Sequence, residues 1–382
     1  MIAGPLCAQI LGDHGTTVIK VESPMVDQAR DSPPYVAGEG AYFAALNRNK
    51  RAIALDLTRE PAREVLLRLL EDTDVLVENL LPGSMKKWGL DYDTVLAERF
   101  PRLIYCGISG FGNDGPLGGR PGYDAVLQAY CGMMSINGTP ESGPTRFGIA
   151  TVDVTTGMNA ATGVLLALAE RSRSGRGQAV DVTLYDTALG LQIPFASRYF
   201  GSGKTEGPMG NGHPTMAPYD KFPTAQGDVF IGAINVAQFK RMVTVLGRPD
   251  IADDPRFATN ALRSANRDAL HAEILPLPRQ HEAVALSELL MQAGVPAAPV
   301  HTVPQAFEAP HTQHRQMRVR LEQGYEAIGV PIKLKRTPGS ARTIPPAYAA
   351  DDDAVLRELG YSAAEIEALA SSGALRRKRG AG

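Results

Sequence analysis

Small and aliphatic side chains run without a charge from Gly157 to Ala169 and are closed by Glu170. Residues 151–171 (TVDVTTGMNAATGVLLALAER) therefore predict a buried helix over the run from Gly157. Thr151 and Val152 in front of it read as the end of a strand, which puts Asp153 at the mouth of the helix. Upstream, residues 5–11 predict a helix opened by Gly4-Pro5, and residues 16–22 (TTVIKVE) a buried strand. Residues 52–57 predict a strand behind the basic tip NRNKR, and residues 60–71 an amphipathic helix with Leu66, Leu67, Leu69 and Leu70 on its apolar side. Residues 74–78 (DVLVE) and 103–108 (LIYCGI) predict further strands. Strand and helix alternating through short Gly- or Pro-bearing joins imply an α/β fold, a doubly wound parallel sheet of Rossmann type. Ligands are then expected at the carboxyl ends of its strands.

Residues 177–189 add a strand and the start of a helix. Residues 201–212 (GSGKTEGPMGNG) hold five glycines and too little apolar surface to pack, so they predict a mobile loop and a boundary. Beyond it come a strand at 228–234, helices at 237–246, 258–272 and 284–293, and a strand at 295–300. These predict a smaller α+β domain, with Pro276 and Pro278 breaking an otherwise long helix. After Pro310 the chain turns irregular and basic, then offers a strand at 329–334 and helices at 351–359 and 363–370; the tail ALRRKRG is expected to fray. The expected organisation is a large domain over 1–200, a small domain inserted at 215–310, and a segment at 325–382 that returns to the large one.

The chain of 382 residues is 44% hydrophobic and 21% charged, an ordinary globular composition, and its net charge of −2 supplies no field for nucleic acid. Cys7, Cys106 and Cys131 form no C-x-x-C pair, so neither a disulfide framework nor a zinc site is expected, and no metal. The first nineteen residues lack Lys and Arg and are interrupted by Gly4, Pro5, Asp13 and His14, unlike a signal peptide. No uncharged apolar run reaches membrane-spanning length; residues 152–169 come nearest but include Asp153. A cytoplasmic protein is expected.

Asp153 has two readings: a helix N-cap, or a carboxylate held at the edge of the core as a nucleophile. Neither G-x-G-x-x-G after the first strand nor a phosphate-binding G-x-x-x-x-G-K-[ST] occurs, which disfavours NAD and ATP. Lys20, Lys50, Arg51, Lys86, Lys87 and Arg120 lie near predicted strand ends. Singly each reads as a solvated charge; together they could neutralise the phosphates of a 3′-phosphorylated adenosine diphosphate, the head of coenzyme A. His213, in GNGHPTMAPYDKF, could meet a substrate carboxylate or simply end the loop.

The blocks AGPLCAQILGDHGTTVIKVE, NKRAIALDL, DVLVENLLPGSMKKWGL, RLIYCGISGFG, GYDAVLQAYCGMM and GRGQAVDVTLYD, with the Asp before the Thr-Gly-Met helix start, resemble family III CoA-transferases (the CaiB/BaiF family) in order along nearly the whole chain. The resemblance implies that Asp153 becomes acylated. It also implies that Ala3, Leu55, Asn79, Leu80, Lys87, Arg120 and Tyr123 line a channel for CoA. Ile2, Ser23 and Lys87 depart from the family's formyl-CoA:oxalate CoA-transferase, which carries a polar residue at the first of these positions and Arg at the other two. Family members also carry a strand before Ala3-Gly4-Pro5, so either the start lies downstream of it or the sheet is one strand short. No permanently bound cofactor is implied; CoA and acyl-CoA are substrates. The implied assembly is an interlocked homodimer whose active site joins the large domain of one chain to the small domain of the other.

A carboxylate attacking a thioester gives a mixed anhydride that keeps the acyl group activated. The leaving thiol is weaker than a carboxylic acid by roughly four pKa units, so the intermediate needs oxyanion donors and exclusion of water, for which residues 201–212 are a candidate. The racemase branch of the superfamily, resembling α-methylacyl-CoA racemase, places His in a Gly-His-Asp triplet; here the triplet is Gly122-Tyr123-Asp124, and Tyr is a poor base near neutral pH. Transfer is therefore favoured over racemisation. A non-catalytic CoA-binding protein is the alternative of another class and would not need Asp153.

Overall fold

The computed structural model describes residues 1–376. Cα packing divides the chain into two compact units, Met1–Cys131 with Gly148–Ile193 and Pro310–Gly382, and Gly132–Phe147 with Pro194–Ala309.

The first unit opens with α1 (Ala3–Asp13), which leads into β1 (Val18–Glu22). β1 pairs in parallel with β2 (Lys50–Ala54), from Val18 opposite Lys50 to Glu22 opposite Ala54. Helix α2 (Glu60–Leu70) returns the chain, with Leu66, Leu69 and Leu70 buried as expected, Val65 buried beside them, and Leu67 only partly buried. A second parallel sheet runs β3 (Val75–Glu78), β4 (Ile104–Ser109), β5 (Ala179–Thr183), in register at Glu78, Gly107 and Asp181. The strands are thus parallel, as expected, but they form two sheets, and β1 and β3 are not paired with each other.

Between β4 and β5 lie α3 (Asp124–Tyr130) and α4 (Thr151–Ser174); α5 (Leu184–Gly190) follows β5. α4 packs along α1 and against β4 and β5. It is long and apolar enough to cross a membrane by length and composition, yet here Val152, Ala160, Ala161, Val164 and Ala167 are core residues. Thr151 and Val152, expected to close a strand, are the first residues of this helix.

Near the C-terminus, α6 (Asp352–Glu358) and α7 (Ala363–Ser371) bury Val355, Leu356, Ile366 and Leu369 against Ile53, Leu55, Val65 and Leu69. The start of the tail does not fray: Ala374 and Leu375 are buried, Leu375 bridges to Leu55, and the Arg376 N–H reaches the Ala54 carbonyl. Apolar cover over β2 outweighs the polar residues that follow, and the rest of the predicted tail lies outside the described residues. Residues 329–334 form no strand; the ladder instead pairs Arg318–Arg320 with Glu326–Ile328, just ahead of Pro331.

The second unit has an antiparallel sheet of Tyr219–Pro223, Asp228–Gly232 and Ala297–Pro299. Helices Val236–Val245, Arg267–Ile274 and Ala283–Gln292 close its core around Phe222, Ile231, Phe239 and Leu286. Arg263 is fully buried there and donates to the carbonyls of Ala217, Phe257 and Ile234. The helix expected at 258–272 is split at Asn266 into Asn260–Ala265 and Arg267–Ile274. Of the glycine-rich stretch, Gly201 and Ser202 are still helical, in Ile193–Ser202.

Candidate active site

Asp153 stands in the first turn of α4, three residues into the helix, not at its N-cap. The N-cap residue is Ala150, which has no side chain to offer the leading N–H groups. Asp124, at the start of α3, supplies that acceptor from 28 residues upstream: its Oδ2 lies 2.8 Å from the Val152 nitrogen and 3.2 Å from the Asp153 nitrogen. The capping reading of Asp153 is therefore corrected, because a buried carboxylate from another helix already holds those donors.

The Asp153 carboxylate is left half-buried, and among the described residues no hydrogen-bond donor reaches it. Burial pushes its pKa above the ordinary Asp value, and the Asp124 charge adds to that rise while the amino terminus opposes it. A poorly solvated, donor-free carboxylate is a stronger nucleophile than one tied into a cap.

Two glycines set the surroundings. A Cβ on Gly157, one turn along α4 from Asp153, would stand 2.8 Å from the Ala3 carbonyl, so the start of α1 lies directly on α4. A Cβ on Gly4 would stand 3.0 Å from Asn79 Cγ, which places the end of β3 against the same start of α1. Ala3, Asn79 and the first turns of α4 are thus brought together. Leu80 follows Asn79, exposed, with its N–H on Glu78 Oε2 at 2.8 Å. Lys87, on the short helix Ser84–Lys87, is exposed; Arg120 and Tyr123 lie exposed on the loop between β4 and α3, where Gly110 crosses close over Gly122. Leu55 is different: its side chain is core and its N–H already donates to Glu22, so no ligand meets that side chain.

The six basic residues separate. Lys50 is buried and donates to the carbonyls of Pro5 (2.8 Å) and Leu46 (2.7 Å) and to Asn47 Oδ1 (2.9 Å), with its pKa well lowered by burial. Arg51 forks onto Glu358 at 2.7 and 2.9 Å, and Lys20 pairs with Asp27 at 3.1 Å. These three are structural cations and are withdrawn from the phosphate-binding set. Lys86, Lys87 and Arg120 stay exposed with no ion pair among the described residues. A cavity of about 390 Å³ also opens beside α4, lined by Thr155, Asn159, Asp181, Thr183, Asp186 and Leu191. Its two carboxylates are the wrong charge for a phosphate.

In the second unit, His213 sits edge-on to Tyr219, its carbonyl accepts from Arg267, and burial with the Arg267 charge lowers its pKa. Gly210, at φ +62°, donates to the Gly138 carbonyl at 2.6 Å. Sequence reasoning did not single out Asp124 for a role of its own; its signal was an Asp at the first position of a short helix, after Gly122-Tyr123.

The model of CoA-transferase family III matches residues 1–352. Succinyl-CoA:mesaconate CoA-transferase of Haloarcula hispanica is 37% identical over 351 residues, covering 88% of each chain. Acetyl-CoA:oxalate CoA-transferase of Acetobacter aceti is 37% identical over 336 residues, covering 87% of this chain and 86% of that one. Among solved structures, a CaiB/BaiF family protein from Brucella suis superposes with a TM-score of 0.85 at 38% identity, over 94% of this chain and 96% of its own. Parallel sheets, a carboxylate at the head of an apolar helix and a match that spans almost the whole chain converge on one assignment: this protein belongs to CoA-transferase family III and is a CoA-transferase.

Proposed function

We propose that this enzyme moves CoA from an acyl-CoA to a free carboxylic acid with Asp153 as the covalent carrier. The observation that carries the reading is the half-buried Asp153 carboxylate, which no hydrogen-bond donor among the described residues reaches. It attacks the thioester carbonyl, the C–S bond breaks, and CoA leaves as thiolate, giving a mixed anhydride on Asp153. The thiolate then attacks the aspartyl carbonyl, releasing the first acid and leaving an aspartyl-CoA thioester. An acceptor carboxylate attacks that carbonyl and expels the thiolate. The thiolate takes the acceptor acyl group from the new anhydride and frees Asp153. Every step exchanges one acyl bond for another, so activation is kept without ATP. The raised pKa of Asp153 narrows the gap between carboxylate and thiolate as leaving groups.

Ala3, Asn79, Leu80 and Tyr123 would line the CoA channel, Leu55 contributing through backbone at most. Lys87 and Arg120, exposed cations with no ion pair among the described residues, would meet the phosphates. The names of the relatives, which act on succinyl-CoA, mesaconate and oxalate, support short dicarboxylic acids as the exchange partners. The second unit would serve as the inserted small domain, and the working form would be an interlocked homodimer in the cytoplasm. Exposed Leu165 and Leu166 on α4 support a partner chain.

The test is an exchange assay by chromatography, pairing succinyl-CoA with a panel of dicarboxylates. The wild type is expected to form at least one new acyl-CoA, and Asp153→Asn none. Exchange by both proteins at equal rates would refute the carrier role.

A further inference from the structure

Asp124 and Asp153 meet at one helix end, and only one of them uses it. Asp124 is buried; its Oδ2 accepts the Val152 and Asp153 N–H groups, and its Oδ1 takes the Gln128 side-chain amide at 2.5 Å. Ala150 offers α4 no cap, so the polarity of this terminus is satisfied from α3 alone among the described side chains. The arrangement has two effects. It pins the backbone nitrogen of Asp153, which fixes where its side chain starts. It also occupies the N–H groups that would otherwise stabilise the Asp153 carboxylate; a carboxylate accepting two or three such bonds is a weak base and a weak nucleophile.

We propose that Asp124 is a positioning residue of the transfer reaction: by accepting the leading N–H groups of α4 it holds Asp153 in place and keeps the Asp153 carboxylate free of donors. The inference rests on the carrier role of Asp153 and adds to it a residue that touches no substrate. Two carboxylates from different helices meet at the start of α4 and share the work, one structural and one chemical. Losing the first turns the second toward the emptied N–H groups, where it caps its own helix. Misplacement of this kind by about 1 Å costs on the order of 100-fold in rate.

The experiment compares Asp124→Ala and Asp124→Asn, measuring kcat, KM for the acyl-CoA and thermal stability. Asparagine keeps an acceptor oxygen for the two N–H groups, while Gln128 turns its amide to accept from the new NH₂. Expected are a loss in kcat of roughly 10- to 100-fold in Asp124→Ala with KM within about threefold, and recovery of most of that loss in Asp124→Asn. If Asp124→Ala does not fold, Asp124→Ser replaces it, since its shorter hydroxyl leaves the N–H groups poorly met. The proposal is overturned if the folded Ala or Ser variant keeps wild-type kcat, if only KM changes, or if Asn is as damaged as Ala. Asp153→Asn, run alongside, separates the two ideas. Exchange surviving there removes the carrier role; exchange lost there but intact in Asp124→Ala removes the positioning role alone.

Discussion

Gly157 of α4 lies so close to Ala3 of α1 that an added Cβ would stand 2.8 Å from the Ala3 carbonyl oxygen and 3.1 Å from Leu6 Cβ. Backbone meets backbone at that point, and neither can rotate away. The contact sets the start of α1 against the helix that carries Asp153. Gly157→Ala should therefore cost about 1–3 kcal/mol and raise the KM for acyl-CoA, read by urea unfolding and steady-state kinetics. Gly201, in the helix Ile193–Ser202, has nothing within 4 Å of its missing Cβ. Gly201→Ala should stabilise by about 0.4–1 kcal/mol, the opposite sign for the same chemical change.

The phosphate set makes a second prediction. Lys87→Ala and Arg120→Ala each remove an exposed cation with no ion-pair partner among the described residues, and each should raise KM for acyl-CoA about tenfold, equivalent to roughly 1.4 kcal/mol, with kcat little changed. Arg51→Ala breaks a fork onto Glu358 and should leave KM unaltered. Steady-state kinetics at two salt concentrations checks both, since the first two effects should shrink as salt rises.

Asp13 and Arg48 form a buried fork, Nε to Oδ1 at 2.9 Å and Nη2 to Oδ2 at 2.6 Å, between α1 and the residues ahead of β2. Arg48 also donates to the Ile328 carbonyl at 2.7 Å. Arg48→Met takes the buried carboxylate's charge partner and leaves it the Asn49 amide at 2.8 Å; it should cost about 3–5 kcal/mol, whereas the double variant with Asp13→Leu should cost less than the sum of the two single changes. Chemical denaturation of the four proteins measures the cycle.

Asp153 itself should be a stability liability. Its folded pKa is raised, so below the unfolded value near 3.8 both states are protonated and ionisation costs nothing. As pH rises past that value the unfolded chain ionises first. The penalty grows until the folded group has also titrated, and it is full above that point. Asp153→Asn should accordingly raise Tm at pH 7, with the gain vanishing as pH falls to 3.8 and below. A Tm series across pH by calorimetry tests the sign.

The parallel strands were legible because buried aliphatic runs such as DVLVE and LIYCGI alternate with helices and short joins. The register at which α4 begins was not. Thr151 and Val152 carry strand propensity, and what makes them helical is an acceptor from Asp124, which no local pattern reveals. Lys50 was read as part of a basic tip, yet two carbonyls and the Asn47 amide oxygen, gathered by the fold from Pro5, Leu46 and Asn47, allow it to be buried. Ala374 and Leu375 looked like the start of a frayed tail because their partner, Leu55, is more than 300 residues away in sequence. In each case the missing information is a long-range partner. That Asp153 stands at the head of an apolar helix was legible; that its carboxylate is left clear of the leading N–H groups was not, because Asp124 supplies their acceptor.

The most direct measurement is intact-protein mass spectrometry after mixing with acyl-CoA, with peptide mapping following hydroxylamine trapping. The account predicts an adduct confined to Asp153, converted by hydroxylamine to a hydroxamate and absent from Asp153→Asn. Turnover with no adduct on Asp153, or an adduct mapped to another residue, would contradict it.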